Sequence, residues 1–541
     1  MNKRLLVVGS GASGVHFALS TLRKGYQVTM LDVALPKPPA ACPEETLDGL
    51  KDHLSDPVEY FLGEGNESIV LPGTSDNYRA RYFGIPPSRS YVFESPKAFS
   101  YEASGFEPLF SFARGGLAEA WTGGAYPLED HDLRDFPFGY ETLEKYYEEV
   151  TQRIGINGTA DDLTRFLPLQ KALMAPLDLD ENSKDLIERY QGKRSLLAKK
   201  FRCYIGRSRV ATLSREQDGR GECTYCGRCL WGCPNESLYT PSITLQACLQ
   251  FPNFTYLPGL MANYFIADSQ QHLTGIAAES LVDGQRHTFQ ADTYVLAAGT
   301  LCSSKIYLDT LFKATGEIQK LTGLMDNRQV LVPFINLHCI GNGYAGDRYQ
   351  YHQLGLGLEM DDPAEYVHGQ ITTLKTAQTH PLLQLMPLDL RSAIKVYQLL
   401  RTSLGVVNLS FHDTRRPENF LSITPEDKSG HTKLSIQYRP RKGQGQSINL
   451  ALKRLRGALA ELGSFVVPGM TVIRPMGSSL HYSGTLGMSE QPKPLHTSKF
   501  CQSYDFENLY VVDGSVIPFL PAKNITLTLM ANAVRVAEEA F

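Results

Sequence analysis

The sequence of 541 residues lacks any run of 18 consecutive apolar residues and any block of basic residues. The first absence excludes a conventional membrane-spanning helix. Lys and Arg number 53 against 57 for Asp and Glu, so the net charge of −4 leaves no basic footprint for nucleic acid. Internal repeats and low-complexity tracts are also missing. We therefore expect a globular protein of two or more domains whose partners are small molecules.

The N-terminal segment is expected to be a strand rather than a secretory leader. Only four apolar residues, Leu5 to Val8, precede a glycine-rich turn, which is too few for the core of a leader. Ten cysteines without a leader fit a reducing compartment, so we expect a cytoplasmic protein. The apolar stretch 381–400 contains two prolines and is expected to be a lid or packing helix rather than a membrane anchor.

The N-terminus predicts a strand, a glycine turn, a helix and a second strand. The apolar strand Leu5–Val8 leads into Gly9–Gly14, the helix runs through Leu22, and the strand Val28–Leu31 ends at Asp32. This βαβ unit places a G-x-G-x-x-G motif between strand and helix, which is the context of a dinucleotide site.

The motif assigns an expected role to each of its glycines. Gly9 makes the tight turn, Gly11 lets the backbone approach a pyrophosphate, and Gly14 allows close packing of helix on sheet. Asp32 would accept hydrogen bonds from an adenosine ribose. The motif by itself leaves FAD and NAD open. The predicted contacts are Gly9, Gly11, Ala12, Ser13, Gly14 and Asp32.

Between Gln329 and Tyr438 the pattern changes to strands of alternating character, which predicts an antiparallel sheet inserted in an α/β chain. The last two strands are joined by a turn that contains Asp427 and Gly430. The candidate strands are QVLVPFINLHCI, YVHGQITTL, LGVVNLSFHD, NFLSITPE and TKLSIQY. Further elements are predicted at Tyr140–Ile154 (helix), Thr293–Ala298 (strand) and Leu452–Leu462 (helix).

Four more segments follow one another along the chain: GGLAEAWTGG at Gly115–Gly124, YVLAAGTLCSS at Tyr294–Ser304, HYSGTLGM at His481–Met488 and NLYVVDGSVIPFLPAKNITLTLMANAVRVAE at Asn508–Glu538. In type and order they resemble the motifs of glucose–methanol–choline (GMC) flavoprotein oxidoreductases. Together with the βαβ opening they span the whole chain, so the sequence is identified as a member of this family.

The resemblance implies FAD and an α/β fold of two domains. One is a Rossmann-like FAD-binding domain, a parallel sheet with flanking helices; the other is a substrate domain with an antiparallel sheet covered by helices. The expected boundaries are 1–35, 90–135, 200–312 and 468–541 for the FAD-binding domain, 136–199 and 313–467 for the substrate domain, and 36–89 for a loop-rich lid or excursion.

Carried over from the family's motifs, His481 would be the catalytic base and Asn524 its partner. A histidine can take a hydroxyl proton near neutral pH while hydride leaves the carbinol carbon for flavin N5, and an amide can hold the substrate oxygen. Asp513 and Gly514 would contact the ribityl chain and the pyrophosphate. The other residues expected beside the cofactor are Gly115, Gly116, Trp121, Ala298, Gly299 and Thr526.

Two departures from the family pattern narrow the expectation. Ala120 stands where a histidine tethers the flavin in the pyranose-oxidase-like branch, so FAD is expected to be noncovalent. The pairing of His481 with Asn524 resembles the pyranose-oxidase and cholesterol-oxidase branches. The resemblance thus implies oxidation of an alcohol, with a secondary hydroxyl on a sugar, glycoside or other ring compound favoured, and with oxygen or another acceptor taking the electrons. A lyase or decarboxylase of the same fold and a non-catalytic FAD-binding subunit are the alternatives.

One cysteine-rich segment, GECTYCGRCLWGCP, has the spacing C-x2-C-x2-C-x3-C-P, which is typical of an iron–sulfur cluster. In that interpretation the cluster relays electrons from the flavin, and the protein is an FAD/iron–sulfur dehydrogenase. The interpretation favoured here is structural: similar loops in relatives lead into a strand, here PSITL, and buried thiols pack as small hydrophobes. Zinc is the third interpretation, because this spacing puts three thiols closer together in sequence than in most zinc sites. The cysteines are Cys223, Cys226, Cys229 and Cys233.

Overall fold

The computed structural model describes residues 3–66, 86–374, 383, 386–426 and 431–541. Its helices are α1 (Ala12–Arg23), α2 (Leu50–His53), α3 (Pro57–Leu62), α4 (Tyr140–Ile154), α5 (Glu181–Phe201), α6 (Pro241–Leu249), α7 (Thr300–Thr315), α8 (Leu390–Leu400), α9 (Gln444–Glu461) and α10 (Thr526–Glu539). None of these helices is both long and apolar enough to cross a membrane.

One part of the fold is built around a parallel sheet, whose strands come from both ends and the middle of the chain. Its strands are β1 (Arg4–Val8), β2 (Gln27–Asp32), β5 (Phe254–Pro258), β9 (Thr293–Leu296) and β20 (Leu509–Val511), in the spatial order β20–β9–β1–β2–β5. Val8 pairs with Leu31 on one side and with Leu296 on the other, so segments remote in sequence end side by side. Residues 5–8 are buried, as expected for a strand covered on both faces.

The other part of the fold is built around an antiparallel sheet. Its strands are β4 (Cys203–Arg207), β11 (Arg328–Asn336), β12 (Leu354–Leu358), β13 (Val367–Thr373), β14 (Leu404–Phe411), β18 (Ser464–Val466) and β19 (Val472–Ile473), in the order β18–β11–β14–β13–β12–β4 with β19 also paired to β11. Helices α5 and α9 cover one face and share its core. The predicted α/β class, with a parallel sheet and a helix-covered antiparallel sheet, is confirmed.

Two predicted strands belong to a different sheet from the rest. β16 (Phe420–Pro425) and β17 (Thr432–Gln437) pair with each other and are flanked by β10 (Leu321–Thr322) and β3 (Tyr101–Ser104). The prediction of one antiparallel sheet was therefore wrong. Alternation identifies a strand but does not choose its neighbours, and the apolar side chains of β16 and β17 pack into the core around the parallel sheet. The predicted turn with Asp427 and Gly430 lies outside the described residues.

The segment PSITL was predicted as a strand and is instead the start of helix α6. Pro241 occupies the first turn, where its missing N–H leaves no intrahelical bond unmade, and Thr240 before it is extended. The helix predicted at 140–154 has those bounds, and that at 452–462 lies within α9 and its C-terminal cap. The remaining strands are β6 (Leu260–Ala267), β7 (Leu273–Ser280), β8 (Arg286–Phe289), β15 (Asp413–Thr414) and β21 (Phe519–Leu520).

Candidate active site

A cavity of about 1140 Å³ lies between the carboxyl ends of the parallel strands and one face of the antiparallel sheet. Most of the predicted site residues line it, although they come from segments spread over the chain. The lining residues among them are Gly9, Gly11, Ala12, Ser13, Asp32, Gly116, Trp121, Ala298, Gly299, His481, Asp513, Gly514, Asn524 and Thr526. Gly14 and Gly115 lie behind this wall.

The first glycine turn is closed tightly against its surroundings. Gly9 has a φ of +101°, and a Cβ atom there would lie 2.7 Å from the carbonyl oxygen of Ala297. A Cβ atom on Gly14 would lie 2.1 Å from the carbonyl oxygen of Gly9. By contrast, a Cβ atom on Gly11 meets no protein atom closer than 3.9 Å. Gly9 and Gly14 are therefore required by the protein itself, whereas Gly11 faces open space in the cavity.

Three helices begin at this end of the cavity. Helices α1, α7 and α10 have Gly11, Gly299 and Ile525 as their N-caps, and none of these three N-caps makes a side-chain capping hydrogen bond. The free N–H groups and the partial positive charge of a helix N-terminus favour an anion such as a pyrophosphate. The glycine-bounded wall and the helix starts together fit a dinucleotide cofactor.

Asp32 is tied into the wall beside these helix starts. Its carboxylate accepts hydrogen bonds from the Ser10 hydroxyl and, at 2.8 Å, from the Tyr256 hydroxyl. Burial raises the pKa of Asp32 to about 6 despite these bonds. Ser10 also accepts the backbone N–H of Gly115 at 2.9 Å. Gly115, with a φ of +89°, thus joins the two glycine loops from behind the cavity wall.

Asp513 directs its hydrogen bonds into the protein. One carboxylate oxygen accepts the N–H of Gly299 at 3.0 Å and the hydroxyl of Ser303 at 2.5 Å, and the other accepts the N–H of Ser515 at 3.0 Å. These contacts fix the turn after β20 to the start of α7. Gly514, next in sequence, approaches so closely that a Cβ atom would lie 2.4 Å from the carbonyl oxygen of Tyr482.

The His481 ring is held by a residue that sequence reasoning missed. Its Nδ1 lies 2.8 Å from Oδ1 of Asn327, while the amide nitrogen of Asn327 donates to the carbonyls of Phe411 at 2.8 Å and Pro521 at 2.9 Å. Because that nitrogen serves two acceptors, Oδ1 is the acceptor for the ring, so Nδ1 carries the proton and Nε2 keeps its lone pair. Burial, together with the positive charge of Arg474, lowers the pKa of His481 to about 4. The imidazole is therefore neutral at pH 7.

The loop that carries His481 is held by the neighbouring acid. Asp326 accepts the N–H of Gly477 at 2.6 Å and the hydroxyl of Ser479, whose oxygen in turn accepts the backbone N–H of His481 at 3.0 Å. Burial raises the pKa of Asp326 to about 7. Two adjacent residues before β11 thus hold both the ring and its loop. The sequence contains no motif that marks this pair.

Asn524 presents its amide from a rigid turn. The fully buried Lys523 beside it donates to the carboxylate of Asp132 and to the carbonyl of Phe166. The side-chain oxygen of Asn524 accepts the amide of Gln370 at 3.3 Å. The amide nitrogen of Asn524 is therefore the end that can donate to a molecule in the cavity. Gln370 was not predicted either.

The four clustered cysteines do not line this cavity. Cys223, Cys229 and Cys233 pack in a separate apolar cluster with Leu230, Tyr349 and Tyr351, and Cys226 lines a small separate cavity together with these three cysteines. Their neighbour Trp231 reaches the wall of the large cavity. Burial raises the pKa of Cys223 to about 12 and raises the pKa values of Cys226 and Cys229. Packing of thiols against apolar side chains is the arrangement that the structural interpretation predicts.

Among the described residues, no group of three or more His, Cys, Asp or Glu side chains is placed to hold a metal ion. The iron–sulfur interpretation stays a prediction, and iron analysis of anaerobically purified protein tests it.

Comparison with known proteins adds independent information. Residues 416–533 match the family model of the GMC oxidoreductases. The chain is 21% identical to the fructose dehydrogenase large subunit of Gluconobacter japonicus, over 99% of this chain and 97% of that protein. It is 22% identical to the 2-methyl-1,2-propanediol dehydrogenase of Mycolicibacterium austroafricanum, over 99% and 94%. The crystal structure of pyridoxine 4-oxidase from Mesorbium loti matches with a TM-score of 0.60 at 14% identity, covering 99% of each chain, and shows the same fold.

Proposed function

We propose that the chain, whose residues 416–533 match the family model of the GMC oxidoreductases, is an FAD-dependent oxidoreductase of that family and oxidises a secondary hydroxyl on a ring compound to a carbonyl. The observation that carries this proposal is the shared cavity. A neutral histidine, His481, and an oriented amide, Asn524, line the same space as the uncapped helix starts and the glycine turn.

We assign the parallel-sheet end of the cavity to FAD. The helix starts at Gly11, Gly299 and Thr526 would hold the pyrophosphate, Asp32 the adenosine, and Trp121 the isoalloxazine side. When bound, FAD supplies the acceptor for the hydride and therefore for the two electrons that the alcohol loses.

His481 would act as the base at the other end. Its Nε2 takes the hydroxyl proton of the alcohol, and Nδ1–H stays bound to Asn327, which keeps the ring in the tautomer that can accept. The amide nitrogen of Asn524 donates to the alcohol oxygen and holds it as the carbonyl forms. Because the pKa of His481 is about 4, the ring then releases the proton readily to solvent.

An anaerobic bleaching experiment tests the proposal. The flavin absorbance of the FAD-loaded protein is followed after addition of a panel of ring and open-chain alcohols, for the wild type, His481→Gln and the matched control His287→Gln, an exposed histidine on β8. We expect His481→Gln to retain FAD and to bleach about 10²- to 10⁴-fold more slowly, with the control unchanged. Equal rates would remove His481 from the base role, and no bleaching by any alcohol would overturn the proposed function.

A further inference from the structure

One wall of the cavity changes from polar to apolar with distance from His481. On β11 and the two residues before it, Asn327 binds the histidine ring, Gln329 lines the cavity next, and Leu331, Pro333 and Ile335 line it further on. Val330, Val332 and Phe334, which alternate with the last four of these residues, are buried in the core under α5 and α9. Phe334 also reaches the cavity. Successive cavity-facing positions of one strand therefore lead away from the reacting end.

The next two strands of the sheet, β14 and β13, show the same change from polar to apolar side chains. In the sheet register, Asn408 lies opposite Leu331, and Val406 lies opposite Pro333. Gln370, the partner of Asn524, lies opposite Asn408 on the other side. Away from the histidine, the lining residues are Asn408, Val406 and Leu404 on β14, and Gln370, Thr372 and Leu374 on or just after β13.

The apolar part of this wall is large enough to accommodate the body of a substrate. Leu331, Pro333, Ile335, Leu374, Leu404 and Val406 form what is named here the apolar platform. Leu331 and Ile335 are four residue steps apart on one strand, and the six residues come from three adjacent strands, so the platform measures about 13 Å by about 10 Å at its widest. None of its six side chains has a hydrogen-bonding group, and the side-chain hydroxyl that borders them belongs to Thr372, opposite Val406. Substrate hydroxyls placed on the six side chains themselves would lose water without a partner, whereas apolar surface would gain by burial.

The apolar character continues from the platform to the protein surface. Phe465, the register partner of Ile335, is 50% exposed. Val472, the partner of Leu331, and the nearby Met470 line the cavity while 42% and 37% exposed. A molecule entering over Met470 and Val472 meets the apolar platform before the polar row of Asn408 and Gln370, while Arg474 lies further along this edge, bonded to Gln329.

Resting on the proposed alcohol oxidation, we propose that the substrate is an amphiphilic alcohol. Its hydroxyl lies at His481 and Asn524, and an apolar ring system or chain attached to the carbinol carbon lies on the apolar platform. The polar row beside Asn524 accommodates the hydroxyl end only. The platform thus selects against a free sugar, whose hydroxyls extend around the whole ring.

Steady-state kcat/KM values for trans-4-butylcyclohexanol, cyclohexanol and glucose, measured with the FAD-loaded enzyme and an artificial electron acceptor, test this inference. We expect butylcyclohexanol to exceed cyclohexanol by about tenfold or more, with glucose lowest. Val406→Thr exchanges one methyl group of the platform for a hydroxyl and is expected to lower the value for butylcyclohexanol about tenfold, and that for cyclohexanol, which covers less of the platform, by a clearly smaller factor. The matched control Val282→Thr, at a position that is 92% exposed, leaves both unchanged.

The possible results distinguish a failure of the amphiphilic-substrate inference from a failure of the proposed alcohol oxidation. If glucose equals or exceeds butylcyclohexanol, the inference is overturned while the proposed alcohol oxidation stands. If Val406→Thr lowers both cyclic alcohols alike, the platform does not bind the apolar body and the inference also fails. If anaerobic bleaching is seen with no alcohol, the proposed function falls and this inference falls with it.

Discussion

The two ends of the cavity are built from different parts of the chain. At the parallel sheet the wall is mostly backbone, with Gly9 and Gly14 placed where a Cβ atom would collide with a carbonyl oxygen. At the antiparallel sheet the wall consists of side chains such as Leu331 and Val406 on regular strands. A substitution at the first end therefore disturbs the fold or the cofactor, whereas one at the second end changes which molecule is accepted.

The sharpest test of this contrast lies within the first end. Gly14→Ala puts a methyl group 2.1 Å from the Gly9 carbonyl oxygen, and we expect it to destabilise the protein by about 3 kcal/mol, the upper part of the range for overpacking, and to lose FAD. Gly11→Ala meets no protein atom within 3.9 Å, so the cofactor-free protein should keep its Tm while FAD affinity falls.

Thermal unfolding of the cofactor-free proteins and the ratio of flavin to protein absorbance measure the two effects. Gly192→Ala, on helix α5 with nothing within 4 Å of the added methyl group, is the control and should be neutral or slightly stabilising. Equal losses of Tm in Gly11→Ala and Gly14→Ala would mean that both glycines serve the fold alone.

The second largest effect is expected for substitution of Asn327, which contacts His481 from the antiparallel-sheet end of the cavity. Asn327→Leu removes the acceptor for Nδ1–H of His481 and both donors to the neighbouring carbonyls, so we expect the bleaching rate to fall on the order of 10²-fold with FAD retained. Asn327→Asp keeps the acceptor and should recover part of the rate. A variant that loses FAD together with activity would point to a structural role instead.

The pH dependence gives a smaller and more specific effect. A base must be neutral to accept a proton, and the pKa of His481 is about 4, so the wild-type bleaching rate should stay level from pH 8 down to about pH 5 and fall only below that. In Asn327→Asp a carboxylate faces Nδ1–H and favours the charged ring, so the fall should move to higher pH. A wild-type decline centred near pH 6.5, the value of an ordinary histidine, would contradict the neutral, buried ring.

The smallest effect is expected on the platform face. Thr372→Val keeps the shape of a half-buried side chain, so we expect a change of less than about 0.5 kcal/mol in the free energy of unfolding. The kcat/KM for butylcyclohexanol should rise two- to threefold, because an apolar methyl group replaces a hydroxyl next to Val406. A fall in that value, measured beside the wild type, would show that the hydroxyl of Thr372 binds the substrate.

The sequence predicts the parallel-sheet end far better than the other. A dinucleotide site needs particular residues at consecutive positions, so Gly9 to Gly14 and Asp32 form a pattern that can be read locally. Asn327 lies 154 residues from His481 and belongs to no local pattern, and Gln370 is one polar residue in an ordinary strand. Five strands between Gln329 and Tyr438 were predicted, but Leu354–Leu358 was missed and the partners of Phe420–Pro425 were wrong, because pairing depends on packing at long range.

One stretch of backbone, strand β11 with the residue before it, carries both Asn327, which holds the proposed base, and the platform residues up to Ile335, which contact the substrate in the proposal. A shift of this strand by one residue would turn Val330 and Val332 into the cavity and drive Leu331 and Pro333 into the core. The same shift would carry Asn327 away from the histidine. New substrates can therefore evolve here by exchange of side chains, whereas insertions or deletions in this strand would abolish recognition and catalysis together.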